Sequence, residues 1–264
     1  MANWEGTVAG AAVFPDGSIE RFGDTGRPFE LASITKLYSA MAVLVAHEEG
    51  TLDLDEPIGD AGYTAADLLA HTAGVAPDER SWLAAINTRR IYSTAGYEIL
   101  ADHLTAAAGM PFAHYAKEAV IAPLGLETMR LDGSPGAGAI GSVDDLLGLS
   151  TAWRTPLLID HTTLERATRP HHPELDGVLP GFGRCDPNPW GLGPEIRGDK
   201  APHWTAPAND PRTFGHFGRA GTMLWIDPAA AVTVIALSDQ GFGPWAAEAW
   251  PVLSSAVLEA TTRG

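Results

Sequence analysis

The chain has 264 residues, 45% of them hydrophobic and 19% charged, a balance that suits a globular protein able to bury a sizeable core as one domain with an insertion or as two small domains. Its 17 Lys and Arg against 33 Asp and Glu give a formal charge of −16, which repels phosphate backbones, so nucleic acid is not an expected partner. Cys185 is the single cysteine, so the chain can form no internal disulfide, and no apolar run reaches the length needed to cross a bilayer, so no membrane partner is expected either.

The amino terminus, Met1 to Gly6, lacks the basic start and apolar stretch of a secretion signal, and the chain reads as cytoplasmic. Residues 7–14 and 18–22 read as two strands joined by Pro15-Asp16-Gly17, a strong hairpin signal. From Ser33 to Glu49, Leu37, Ala40, Met41, Leu44 and Val45 fall at helical spacing, with Gly50 as a stop. Between 57 and 205 the pattern turns helical and loop-rich, with helices predicted over 64–71, 95–108, 111–120 and 143–154. The stretch from Pro170 to Pro211, dense in proline and glycine, reads as extended connection and surface loop. Strands return at 221–226 and 231–237, and a helix over 245–261 closes the chain. Strands at both ends and helices between them predict an α/β fold. Segments 1–56 and 206–264 would form an antiparallel sheet flanked by helices, 57–205 an inserted, mostly helical lobe, and the active-site cleft would lie between them.

Three constellations carry chemistry. Ser33-Ile34-Thr35-Lys36 opens the first long helix, and residues three apart share a helix face, so the Ser33 hydroxyl and the Lys36 amine can approach one another. A serine hydroxyl needs a neighbouring base, which a desolvated lysine can be, and a helix amino terminus adds partial positive charge. Alone the motif is ambiguous, because serine at a helix start is also the commonest cap. The second constellation is Tyr92-Ser93-Thr94-Ala95-Gly96-Tyr97. The third is Phe214-Gly215-His216-Phe217-Gly218-Arg219, leading into Leu224-Trp225-Ile226-Asp227-Pro228.

In this order, with landmarks such as Asp67-Leu68-Leu69-Ala70-His71-Thr72-Ala73-Gly74 and Pro123-Leu124-Gly125-Leu126, the chain resembles the penicillin-recognising serine hydrolases: class C β-lactamases, D-alanyl-D-alanine carboxypeptidases and β-lactamase-like esterases. The resemblance covers nearly the whole chain and implies a β-lactamase/transpeptidase-like fold. It makes Ser33 the acylated nucleophile, Lys36 its partner and Tyr92 the tyrosine that shuttles a proton to the leaving group. The oxyanion hole would be the backbone N–H groups of Ser33 and Arg219, and Thr94, His216, Phe217 and Gly218 would contact substrate. Gly218 is read as the place where an acyl group approaches the strand without meeting a Cβ. Either a charged Lys36 favours the Tyr92 phenolate or a neutral Lys36 does part of the work, and both readings stay open here.

Departures from the family pattern point to the substrate. The lactamases usually end the second motif in asparagine, where this chain has Thr94, and often begin the third with lysine followed by threonine, where it has His216 and Phe217. An imidazole and a phenyl ring recognise a carboxylate poorly, which favours small uncharged esters. A weak β-lactamase or D-amino-acid peptidase is the alternative enzyme, and a catalytically silent binding protein on the same fold is the alternative of another class. A small-molecule substrate is the expected partner, and oligomeric state is not legible. No metal or cofactor is called for. His171-His172-Pro173-Glu174 are adjacent histidines that point in different directions, with no further ligand at diagnostic spacing. Gly136 to Gly141 match a dinucleotide fingerprint in letters but follow a turn instead of a strand, and read as a close-packing segment with Ser142 as a helix cap. Trp190 could line the cleft.

Overall fold

The computed structural model describes Trp4 and residues 6–261. In chain order it contains β1 (Val8–Val13), β2 (Ile19–Phe22), β3 (Phe29–Glu30), and a 3-10 turn at Ala32–Ile34 that runs into α1 (Thr35–Glu48). Then come α2 (Ala65–Leu69), α3 (Thr94–Ala108), and α4 (Phe112–Ala116), continued through a π turn at Lys117–Ile121 into α5 (Ala122–Leu124). Next are β4 (Arg130–Leu131), β5 (Ala139–Gly141), α6 (Val143–Arg154), α7 (His161–Ala167), β6 (Gly177–Leu179) and β7 (Gly183–Cys185). The chain ends with β8 (Glu195–Ile196), β9 (Phe214–Gly218), β10 (Thr222–Asp227), β11 (Val232–Ser238) and α8 (Pro244–Thr261).

Six strands pair antiparallel in the order β2-β1-β11-β10-β9-β8, so the first strand of the chain lies against the last, with Val8 opposite Ser238 and Val13 opposite Thr233. This is the α/β architecture expected of the terminal segments. The two-residue period of a strand sorts its side chains onto two cores. Ala9, Ala11, Leu224, Ile226, Ile235 and Leu237 join the core built with α1 and α6, whereas Ala12, Met223, Trp225, Val232, Val234 and Ala236 pack with Ala246 and Trp250 of α8. With apolar contacts on both faces, β11 reads as a continuous apolar run and not as an alternating one.

Every residue of α1 from Thr35 to Ala46 is buried, as a helix apolar on all sides must be, and Lys36 is the one charged side chain inside it. Several features differ from the sequence expectation, among them a small β3-β5-β4 sheet. β8 belongs to the main sheet, pairing Glu195 with Gly215, although it lies within the 57–205 stretch. The Pro170 to Pro211 region carries a β6–β7 hairpin as well as loops. The apolar periodicity misses α7, which buries only Leu164 and Ala167 and starts at a cap where Asp160 accepts from the Thr162 N–H. Among the described residues no helix is long and apolar enough to cross a membrane.

Candidate active site

The site is built on the turn before α1. Ala32 has a φ of +46°, a left-handed backbone that alanine rarely adopts and that costs on the order of 1 kcal/mol. Neighbouring groups hold it there: the Thr222 hydroxyl donates to the Leu31 carbonyl at 2.9 Å, and the Thr35 hydroxyl donates to the Ala32 carbonyl at 2.5 Å. Ser33 is thereby raised, half-buried, between buried Ala32 and Ile34, and faces a cleft of about 540 Å³. Tyr92, Thr94, His216, Phe217 and Arg219 line the same cleft.

Lys36 is wholly buried on the next turn. Its Nζ donates to the Gly136 carbonyl at 2.8 Å and to the Thr94 hydroxyl at 3.3 Å, and lies 4.6 Å from the centre of the Tyr92 ring. Burial pushes its pKa down to about 7, against the opposing pull of Asp78 and Glu98, so a large share of Lys36 is neutral at physiological pH. The Gly136 to Gly141 segment thus supplies an acceptor for this amine, and Ser142 after it forms a capping box with Asp145.

The tyrosine behaves in the opposite sense. Burial raises the Tyr92 pKa well above the ordinary phenol value, with the nearby Ser33 hydroxyl working against the rise. His216 Nδ1 lies 2.7 Å from the Phe217 carbonyl oxygen, which can only accept, so Nδ1 carries the proton and Nε2 is bare. Burial, and then the charge of Lys36, lower the His216 pKa to about 3, which keeps this tautomer neutral. The Tyr92 hydroxyl accordingly donates to His216 Nε2, at 3.4 Å. Of the two sequence readings, a protonated tyrosine beside a partly neutral lysine is the one that these environments favour.

Thr94 is the first residue of α3, capped by Ser93, whose hydroxyl accepts from the Gly96 N–H at 2.8 Å. Phe217 packs into an aromatic group with Phe242, Trp204 and Phe182 at centroid distances of 5.1, 5.6 and 5.8 Å. Gly218 is a glycine for another reason than the one expected. A Cβ there would stand 2.5 Å from both the Leu31 carbonyl oxygen and the Thr222 hydroxyl and 3.0 Å from the Ala32 Cβ, so protein atoms fill the direction reserved for an acyl group. Gly218→Ala should therefore push β9 off the Ser33 turn. The expected result is a loss of about 1–3 kcal/mol in urea unfolding and at least about a tenfold fall in ester hydrolysis.

The sequence model of the family described as Beta-lactamase matches residues 9–257. The chain belongs to the Beta-lactamase family. Members of this family are generally serine hydrolases. Among solved Beta-lactamase-like structures, a beta-lactamase from Mycobacterium bovis is 44% identical with a TM-score of 0.95, over 98% of this chain and 97% of that one. Unliganded simvastatin synthase LovD from Aspergillus terreus is 16% identical with a TM-score of 0.78, over 98% of this chain and 94% of that one, a likeness of fold. Penicillin-binding protein 4* from Bacillus subtilis (strain 168) is 26% identical over 40% of this chain, and the match spans only 31% of that protein's length.

Several groups around the site of this Beta-lactamase chain lie outside the three motifs. The His71 ring lies 4.7 Å from that of Tyr92 and the Trp190 ring 5.7 Å, closing an aromatic wall of which only Trp190 is anticipated. Glu195 also lines the cleft, as part of a buried network. Its carboxylate pairs with Lys200, accepts from His203 Nε2 at 2.9 Å and accepts from the Trp204 indole N–H. No sequence motif marks it, because its members are brought together by the loop between β8 and β9.

Burial alone would raise the Glu195 pKa, but Lys200 and His203 overturn that and hold it down to about 2. A carboxylate with a depressed folded pKa contributes stability that is present above its ordinary pKa of 4.5 and is lost as pH falls toward about 2. Glu195→Gln leaves Lys200 without a counter-charge. We expect it to lower the unfolding free energy by about 3–5 kcal/mol and to flatten the acid limb of a stability-against-pH curve.

Proposed function

We propose that the protein is a serine hydrolase that forms an acyl-enzyme on Ser33 and acts as an esterase on small uncharged esters. The observation that carries this reading is the convergence of Ser33 and Tyr92 on one cleft beside a buried Lys36 whose pKa is lowered to about 7, with neutral His216, Phe217 and Trp190 as its walls. Ser33 Oγ attacks the ester carbonyl, and the backbone N–H groups of Ser33 and Arg219 take up the negative charge on its oxygen. The Tyr92 hydroxyl turns from His216 Nε2 toward the amine, and the Ser33 proton passes through it to neutral Lys36. The bond to the alcohol then breaks, and that proton is returned to the departing alkoxide. Water cleaves the acyl-Ser33 ester by the reverse use of the same groups, releasing the acid and restoring the Ser33 hydroxyl.

Small uncharged esters are favoured because His216 and Phe217, where carboxylate-reading Beta-lactamase relatives often carry lysine and threonine, offer no fixed positive charge. A second reading is β-lactam hydrolysis, favoured by the name carried by the 44% identical structure. Comparing kcat/KM for p-nitrophenyl butyrate and for a chromogenic cephalosporin separates the two. We expect the ester to be preferred at least about tenfold, and a preference for the lactam would replace the first reading with the second.

A further inference from the structure

The sequence sets His171 and His172 aside because adjacent histidines point apart, and the structure corrects this. His172 adopts a left-handed backbone with φ +51°, and the two rings meet edge to face with centroids 4.4 Å apart. Both Nε2 atoms consequently face one carboxylate oxygen, Asp67 Oδ1, at 3.8 Å for His171 and 3.9 Å for His172. The three ligand-type atoms lie within 4.8 Å of one another.

This convergence is fixed from outside. Buried Arg90 donates through one guanidinium nitrogen to the carbonyls of His171 and His172, at 2.7 and 3.0 Å, and through Nε to the Asn188 carbonyl at 2.7 Å. Asp67 Oδ2 accepts from the Thr64 N–H and hydroxyl, both at 2.9 Å, and Oδ1 accepts from the Thr72 hydroxyl at 3.1 Å, which leaves Oδ1 spare acceptor capacity toward the rings. The Nε2 atom of His171 is buried and has no hydrogen-bond partner, because 3.8 Å is too long for a hydrogen bond to Asp67. An orphaned buried polar atom is costly and calls for a partner, which a bound cation can be.

We propose that Asp67, His171 and His172 bind one divalent transition-metal cation of the zinc class, which clamps α2 to the His171–His172 turn. Two imidazole nitrogens and one carboxylate oxygen are a donor set suited to zinc. Bonds of about 2.1 Å in tetrahedral geometry need ligand atoms about 3.4 Å apart, so small ring rotations close the site, and water completes the coordination. Glu174 stands 3.9 Å from His172 Nδ1, on the side of the ring that a metal leaves to an outer carboxylate. The negative charges of Asp67 and Glu174 oppose that of Arg90. The clamp touches none of the reacting atoms. It reaches them through Trp190, whose carbonyl accepts from the His171 N–H at 2.8 Å, so its effect is on stability and positioning.

The test is calorimetric titration of chelator-treated full-length protein with zinc chloride, paired with melting curves. The expected result is one zinc per chain with a raised melting temperature. His171→Ala and His172→Ala should each weaken binding at least about tenfold and remove the thermal gain. Two controls address other candidate ligands: His114→Ala breaks the His114–Glu118 pair at 3.9 Å, Cys185→Ser removes the half-buried free thiol, and both should bind zinc as the parent does. Melting without metal shows that each histidine variant is folded, and Asp67→Ala is avoided because it would also break a helix cap. Failure of the parent to bind zinc, or unchanged binding by His172→Ala, overturns the proposal.

Discussion

Replacing Ser33 with alanine is expected to abolish ester hydrolysis, with kcat falling by about 10⁴-fold or more, and to leave the fold in place. The contacts that hold the strained turn run from Thr222 to the Leu31 carbonyl and from Thr35 to the Ala32 carbonyl, and none uses the Ser33 side chain. Removing a half-buried hydroxyl from this turn should therefore change stability by no more than about 0.5 kcal/mol, while removing the only atom that the proposed acyl group could join. Rates with p-nitrophenyl butyrate and urea unfolding, measured on the same preparations, check both halves. Retained hydrolysis in Ser33→Ala would move the chemistry to another group.

Lys36→Met should cost about 10³-fold in kcat/KM, and its pH dependence identifies the role. Because burial lowers the Lys36 pKa to about 7, the neutral amine accumulates as pH rises through that value, so kcat/KM of the parent should climb along a limb centred there. The residual activity of Lys36→Met should lack that limb. Stability of the parent also rises with pH. The folded pKa of about 7 lies below the ordinary 10.5, so protonated Lys36 penalises folding in full below about pH 7, and the penalty fades as pH rises toward 10.5. Lys36→Met should therefore melt above the parent at about pH 6, with the gap narrowing in alkali, despite losing the bond to the Gly136 carbonyl. A variant that loses activity and melts lower at every pH would mark Lys36 as a structural residue only.

Much of this was legible in the residues themselves. The apolar run of β1, the Asp16-Gly17 turn and the apolar runs of β10 and β11 predict a sheet closed by the two ends of the chain, because strand composition and turn chemistry are local properties. Ser33, Lys36, Tyr92 and His216 could be named because they sit in short motifs whose order is diagnostic. What stayed hidden depends on contacts remote in sequence. Glu195, Lys200 and His203 form one network only when a loop folds back on itself. Gly218 was given to substrate because its partner, the Leu31 carbonyl, is far away in the chain. His171 and His172 converge on Asp67 through the left-handed φ at His172 and the grip of Arg90, neither of which has a local signature.

The central claim is that an acyl group is carried on Ser33, and the most direct measurement is intact-protein and peptide mass spectrometry after a rapid acid quench with p-nitrophenyl acetate. The account predicts a mass increase of one acetyl group, confined to the peptide containing Ser33, that forms at the rate of p-nitrophenol release and is absent from Ser33→Ala. Turnover of the ester with no adduct at Ser33, or an adduct that persists in Ser33→Ala, would contradict it.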